Sequence, residues 1–174
     1  VAETDSLNSS ILGPDAGPGS PEFDLFIREV VREMTVKAGQ KCTAIRKALV
    51  PRAMTGDVVA ALQAALAQTV VGDPRVEGVR MGPLASLAQR AEVVARVAEL
   101  RRESELVAGD PERFAVSGAD RERGAFLPPM LLLCSDADAA RAVHSVEAFG
   151  PVSTIVGYRD VAESIALARR GEGS

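Results

Sequence analysis

FDLFIREVVREMTVKAGQKCTAIRKALVP, residues 23–51, holds in one stretch the parts of an α/β layer: an amphipathic helix, a turn and a buried strand. Phe23, Phe26, Ile27, Val30, Val31 and Met34 recur at helical spacing, and Ser20-Pro21 just before them reads as N-cap and first helical residue. Lys37 falls in the expected last turn and Gly39 where a C-cap belongs. Residues 44–50 then fit a strand ended by Pro51. Between helix and strand sits Cys42. By residue type alone it fits two roles, a small buried hydrophobe or a nucleophilic thiol.

The same alternation extends outward. Upstream, residues 9–13 fit a short strand, followed by a loop, PDAGPGSP, that lacks the glycine spacing and lysine of a phosphate cradle. Downstream, Thr55 can cap a second helix carrying Val58, Val59, Leu62 and Leu66. The run VVGDPRVEGVRMGPL (70–84) is a long loop, and loops of this length without structure of their own are uncommon in compact domains. Ser86 with Gln89 opens a third helix expected to reach about residue 105. Residues 106–109 fit a short strand, PPMLLLC (128–134) a buried one, 136–143 a short helix and 152–156 another buried strand. Asp160 with Glu163 caps a last helix. Strands apolar on both faces, alternating with helices, predict an α/β fold with a largely parallel sheet flanked by helices.

Composition narrows the function. The 174 residues are 47% apolar with 3% aromatics and a net charge of −4, which gives no basis for nucleic-acid or anionic-membrane binding. No apolar run has the length of a membrane span, and the two cysteines, 42 and 134, offer neither metal spacing nor a disulfide framework. No metal is expected, and a reducing, cytoplasmic setting is the simplest reading. Cys134 ends an apolar run and reads as structural. His144, the single histidine, fits a surface or packing role, with a Cys-His pairing as the alternative. Both ends read as cut, so the chain is expected to be a fragment of a longer protein.

Four motifs in order carry a resemblance to the aldehyde dehydrogenase superfamily. GQKCTA (39–44) resembles the family's active-cysteine motif, and ETDSLN (3–8) stands where the family has its Glu-Leu-Gly-Gly-Lys box. VGDP (71–74) with MGPL (81–84) is similar to the Gly-Asp-Pro…Gly-Pro-Leu loop, and EAFGPV (147–152) to Glu-x-Phe-Gly-Pro-Val. The departures, Asp5, Ser6 and Leu7 in place of the family's glycines and lysine, point to a subgroup. It resembles the semialdehyde dehydrogenases of CoA-bound aromatic catabolism, of the phenylacetate ring-opening type and, as the second choice, the 3,4-dehydroadipyl-CoA type.

The resemblance implies the catalytic, thiol-bearing domain of such an enzyme over residues 1–174, truncated at both ends and without its cofactor-binding domain. It implies Cys42 as nucleophile, Glu3 as the base that activates water, Glu147 on the nicotinamide ribose and Phe149 beside the nicotinamide. The cofactor would be NADP or NAD, and the substrate a small aldehyde, CoA-linked in this subgroup. The full-length protein would be a homo-oligomer, and the fragment alone would lack useful turnover. Two rival readings are a CoA-acylating relative, which Glu3 disfavours, and a non-catalytic structural or binding use of the fold.

Overall fold

A computed structural model describes residues 6–171. Five strands form one sheet in the order β1-β2-β5-β4-β3: β1 Ser9–Ile11, β2 Lys47–Pro51, β3 Glu105–Ala108, β4 Met130–Cys134 and β5 Val152–Tyr158. The pairings β1·β2, β2·β5 and β5·β4 are parallel, and only β3 runs antiparallel, at one edge. The helices are α1 Pro21–Thr35, α2 Thr55–Leu66, α3 Leu87–Leu100 and α4 Val161–Arg169. The chain is therefore α/β with a largely parallel sheet.

Period-2 alternation sorts the central strands between two cores. Ala48, Val50, Leu131 and Ile155 point to one face, where Phe23, Phe26, Val30 and Met34 of α1 and Val58 and Leu62 of α2 cover them. Leu49, Leu132, Cys134 and Val156 point to the other, under Val93 and Val97 of α3 and Leu167 of α4. Strands covered on both sides have no solvent-facing side, which is why β4 reads as an unbroken apolar run and Lys47 of β2 and Ser153 and Thr154 of β5 are buried. Among the described residues no helix is long and apolar enough to cross a membrane.

Helix starts follow the sequence reading. Ser20 accepts from the Phe23 N–H, Ser86 from the Gln89 N–H and Asp160 from the Glu163 N–H. Thr55 differs: it lies inside the first turn of α2, and no side chain caps that helix. Three other boundaries shift. β2 begins at Lys47 rather than 44, because residues 41–46 are spent on side-chain-anchored turns; α3 stops at Leu100; and β5 runs on to Tyr158.

Two departures have clear causes. α1 ends at Thr35, and the chain then takes three successive left-handed residues, Lys37 (φ 55), Ala38 (φ 51) and Gly39 (φ 68). Lys37 is thus outside the helix, not in its last turn. The expected helix over 136–143 is only a 3-10 turn, Ala142–His144. Distant side chains take its backbone groups: the Glu103 carboxylate accepts the N–H groups of Arg141 and Ala142, and Arg170 donates to the carbonyls of Ala137 and Ala140.

Candidate active site

Topology places the motifs together. Residues 6–8 lead into β1, the cysteine turn leads into β2 and residues 147–151 lead into β5, and these three strands are neighbours and parallel. Segments 141 positions apart in sequence thus meet at the amino ends of adjacent strands. Open α/β sheets more commonly bind ligands at the carboxyl ends.

Arg46 is the hub. Its guanidinium donates through Nε to Glu147 (3.1 Å), through one terminal nitrogen to the Gly150 carbonyl (2.8 Å), and through the other to the carbonyls of Gly39 (3.0 Å) and Lys41 (3.4 Å). One planar fork therefore fastens the cysteine turn to the 147–150 turn. Both side chains of the Arg46–Glu147 pair are buried, 4% and 6% exposed. Burial pulls the guanidinium below its ordinary pKa, and the Glu147 carboxylate pulls it back up.

The close packing explains Gly39. A Cβ there would lie 2.1 Å from the Gly150 carbonyl oxygen. The left-handed run at 37–39 is the local strain that lets the chain leave α1 and present Cys42 beside this junction.

Cys42 is exposed, whereas Cys134 is buried and its thiol is pushed up, chiefly by burial. The buried-hydrophobe role thus falls to Cys134 and not to Cys42. Among the described residues the N–H of Cys42 meets no acceptor. Its carbonyl is held by Asn8 Nδ2 at 2.5 Å. Lys41, adjacent in sequence, is spent on Glu33, with both oxygens at 2.6 Å.

The remaining expected residues divide. Glu147 and Phe149 lie at this junction, Phe149 37% exposed and its ring 5.4 Å from the Arg46 guanidinium carbon. Glu3 lies outside the described residues. His144 is buried beside the charges of Arg170 and Lys47, and burial first, then those charges, lower its pKa to about 4. It is a packing residue and not a surface one. Sequence reasoning passed over Ser6, Asn8 and Arg46. The signal for Arg46 was a charge at the mouth of an apolar strand.

Residues 2–172 match the model of the aldehyde dehydrogenase family. The chain belongs to that family. It is 54% identical over 172 residues to the 3,4-dehydroadipyl-CoA semialdehyde dehydrogenase of Aromatoleum evansii, covering 99% of this chain and 33% of that protein. It is also 43% identical over 95 residues to Protein MaoC of Klebsiella aerogenes, covering 54% of this chain and 27% of that one. Among solved structures it resembles a mutant of aldehyde dehydrogenase C from Pseudomonas syringae complexed with NAD+ and octanal. The TM-score is 0.80 and the identity 29%, over 95% of this chain and 32% of that one. Betaine aldehyde dehydrogenase of Staphylococcus aureus, in complex with NAD+, matches with a TM-score of 0.78 at 25% identity, over 93% of this chain and 30% of that one. The chain spans about one third of the length of these relatives.

Proposed function

We propose that this chain is the thiol-bearing catalytic domain of an NAD- or NADP-dependent semialdehyde dehydrogenase, in which Cys42 is the nucleophile and Glu3 the base. The observation that carries the reading is the exposed Cys42 on a strained turn, bolted by Arg46 to the turn of Glu147 and Phe149.

The Cys42 thiolate adds to the aldehyde carbon, forming a C–S bond and a thiohemiacetal oxyanion that the Cys42 N–H can face. The nicotinamide cofactor, when bound, supplies the hydride acceptor that turns this adduct into a thioester. Glu3 then takes a proton from water; the hydroxide adds to the thioester, the C–S bond breaks, and the acid leaves with the thiol restored. The residues present fit a nicotinamide nucleoside. Phe149 offers an exposed ring, and the Glu147 carboxylate, with three donors among the described residues on its roughly four acceptor positions, can accept from a ribose hydroxyl.

The substrate class is a CoA-linked semialdehyde of aromatic-acid catabolism. Identity of 54% over nearly the whole chain supports the 3,4-dehydroadipyl-CoA type over the phenylacetate type. As part of the same proposal, the cofactor-binding domain, the homo-oligomeric state and the cytoplasmic setting belong to the whole enzyme, and these 174 residues alone would lack useful turnover. The test is oxidation of a CoA-linked semialdehyde by the full-length protein, with the product identified by mass spectrometry. Free acid, lost in Cys42→Ser and in Glu3→Gln, is expected; an additional acyl-CoA product made from free CoA would favour the acylating alternative. Activity that survives Cys42→Ser would refute the reading.

A further inference from the structure

Gln40 is the first residue after the left-handed run at 37–39, and its half-buried side chain crosses to another part of the fold. Its Oε1 accepts the Ala85 N–H at 2.8 Å, and its Nε2 donates to Gln89 Oε1 at 3.3 Å. Ala85 precedes Ser86, the N-cap of α3, and Gln89 lies in the first turn of that helix. The other side chains on the cysteine turn reach elsewhere. Asn8, at the entry to β1, holds the carbonyls of Cys42 and Ala44; Arg46, just before β2, holds those of Gly39 and Lys41; and Lys41 reaches Glu33 on α1. Of these tethers, Gln40 is the one that ties the turn to the helix on the opposite face of the sheet.

The bonds fix the orientation of both carboxamides. A backbone N–H accepts nothing, so the Gln40 oxygen must face Ala85 and its NH2 must face Gln89. Gln89 turns its oxygen to Gln40 and its NH2 to the Glu92 carboxylate, at 3.5 Å. From Ala85 through Gln40 and Gln89 to Glu92, acceptors and donors therefore follow in one order. This anchor also bears on strain. Sparsely populated backbone conformations persist only where their surroundings over-determine them, and Gln40 pins the end of three in succession.

We propose that Gln40 is a positioning residue: its carboxamide locks the thiol-bearing turn to the amino end of α3 and so sets how Cys42 meets the substrate carbonyl. This rests on the reading of Cys42 as the nucleophile given above. Without the Gln40 carboxamide the tethers from Asn8, Arg46 and Lys41 keep the turn folded, but its placement against α3 is released. Displacement by about 1 Å can cost roughly a hundredfold in rate. The effect is selective. Attack on a carbonyl needs the sulfur and a donor to the developing oxyanion in one fixed geometry. Alkylation by iodoacetamide displaces iodide from a saturated carbon, forms no oxyanion and needs only an accessible thiolate.

The two reactions are compared in the full-length protein, each on the plateau of its pH profile, where the thiol is fully ionised. With 4-nitrophenyl acetate the Cys42 thiolate adds to the acetyl carbon, the bond to the phenolic oxygen breaks and nitrophenolate leaves as a burst. In Gln40→Ala the burst is expected to slow about tenfold, while alkylation of Cys42 stays within about twofold of wild type. The Ala85 amide should exchange faster with solvent. Gln40→Glu sets a carboxylate against the Gln89 oxygen and should be as slow as Gln40→Ala. Adding Glu92→Gln to it lets Gln89 turn over, donate to residue 40 and accept from residue 92, and should recover at least half of the loss on a logarithmic scale. An unchanged burst in Gln40→Ala, equal slowing of burst and alkylation, or a Gln40→Glu/Glu92→Gln protein no faster than Gln40→Glu would overturn the proposal. A burst that survives in Cys42→Ser would instead sink the reading of Cys42 as the nucleophile, whatever the Gln40 variants do.

Discussion

Replacing Arg46 by Met tests whether the site is held by one buried fork. Met keeps much of the apolar stem and removes the charge. The Glu147 carboxylate, 6% exposed, is then left without its cation, and the carbonyls of Gly39, Lys41 and Gly150 lose their donor. Breaking a buried pair from one side costs about 3–5 kcal/mol, and each orphaned carbonyl adds up to about 1–3 where water cannot reach it. Because the groups share one donor the costs do not add, and a total of about 4 kcal/mol is expected. For a protein of this size that corresponds to a fall in Tm of roughly 8–16 °C. Urea unfolding followed by circular dichroism gives the free energy directly, provided the m-value is unchanged. Arg46→Lys should recover little, since an ammonium cannot reach the carboxylate and three carbonyls as a planar fork does. The double variant Arg46→Met/Glu147→Met removes both charges and should be more stable than Arg46→Met, by about 2 kcal/mol. A cost below about 1 kcal/mol for Arg46→Met, or strict additivity in the double variant, would refute the buried-fork argument.

Gly39→Ala should destabilise by at least about 3 kcal/mol, since the new Cβ lies 2.1 Å from the Gly150 carbonyl oxygen at a φ of 68; thermal unfolding within a degree or two of wild type would contradict this. Tyr158→Phe strips the donor from the buried Leu12 carbonyl that ties β5 to the end of β1, and about 1–2 kcal/mol should be lost in the same urea assay. His144 titrates at about 4 when folded against about 6.5 when unfolded, so between those values the unfolded chain binds more protons and stability falls as pH falls. Replacing it with Leu should remove up to roughly 3 kcal/mol of that acid-side slope, read as the difference between wild-type and variant stability at pH 4.5 and 7.5. Lys47, lowered to about 8 chiefly by burial, adds a second rise in stability from about pH 8 to 10.5, and Lys47→Met should flatten it.

How far the sequence discloses this site depends on the range of each interaction. Ser20-Pro21, Ser86-Gln89 and Asp160-Glu163 act within one turn, and the helices begin where those residues predict. The buried strand β4 was legible because both faces are covered, so MLLLC has no polar alternation to confuse it. The 136–143 helix was not legible, because Glu103 and Arg170 arrive from elsewhere and take its backbone groups. Lys37 and Ala38 were equally hidden, since neither residue type signals a left-handed backbone. Cys42, Glu147 and Phe149 were reached through motif resemblance, not spacing. What placed them together is a topological fact, that β1, β2 and β5 are parallel neighbours although β5 follows β2 by about a hundred residues. Parallel neighbours start at the same edge, so the segments entering them must converge there. The polar residues at those three entries, Ser6, Asn8, Arg46 and Glu147, therefore bond to one another and to the backbone of the cysteine turn. A charge placed at the mouth of an apolar strand is the trace that such convergence leaves in a sequence.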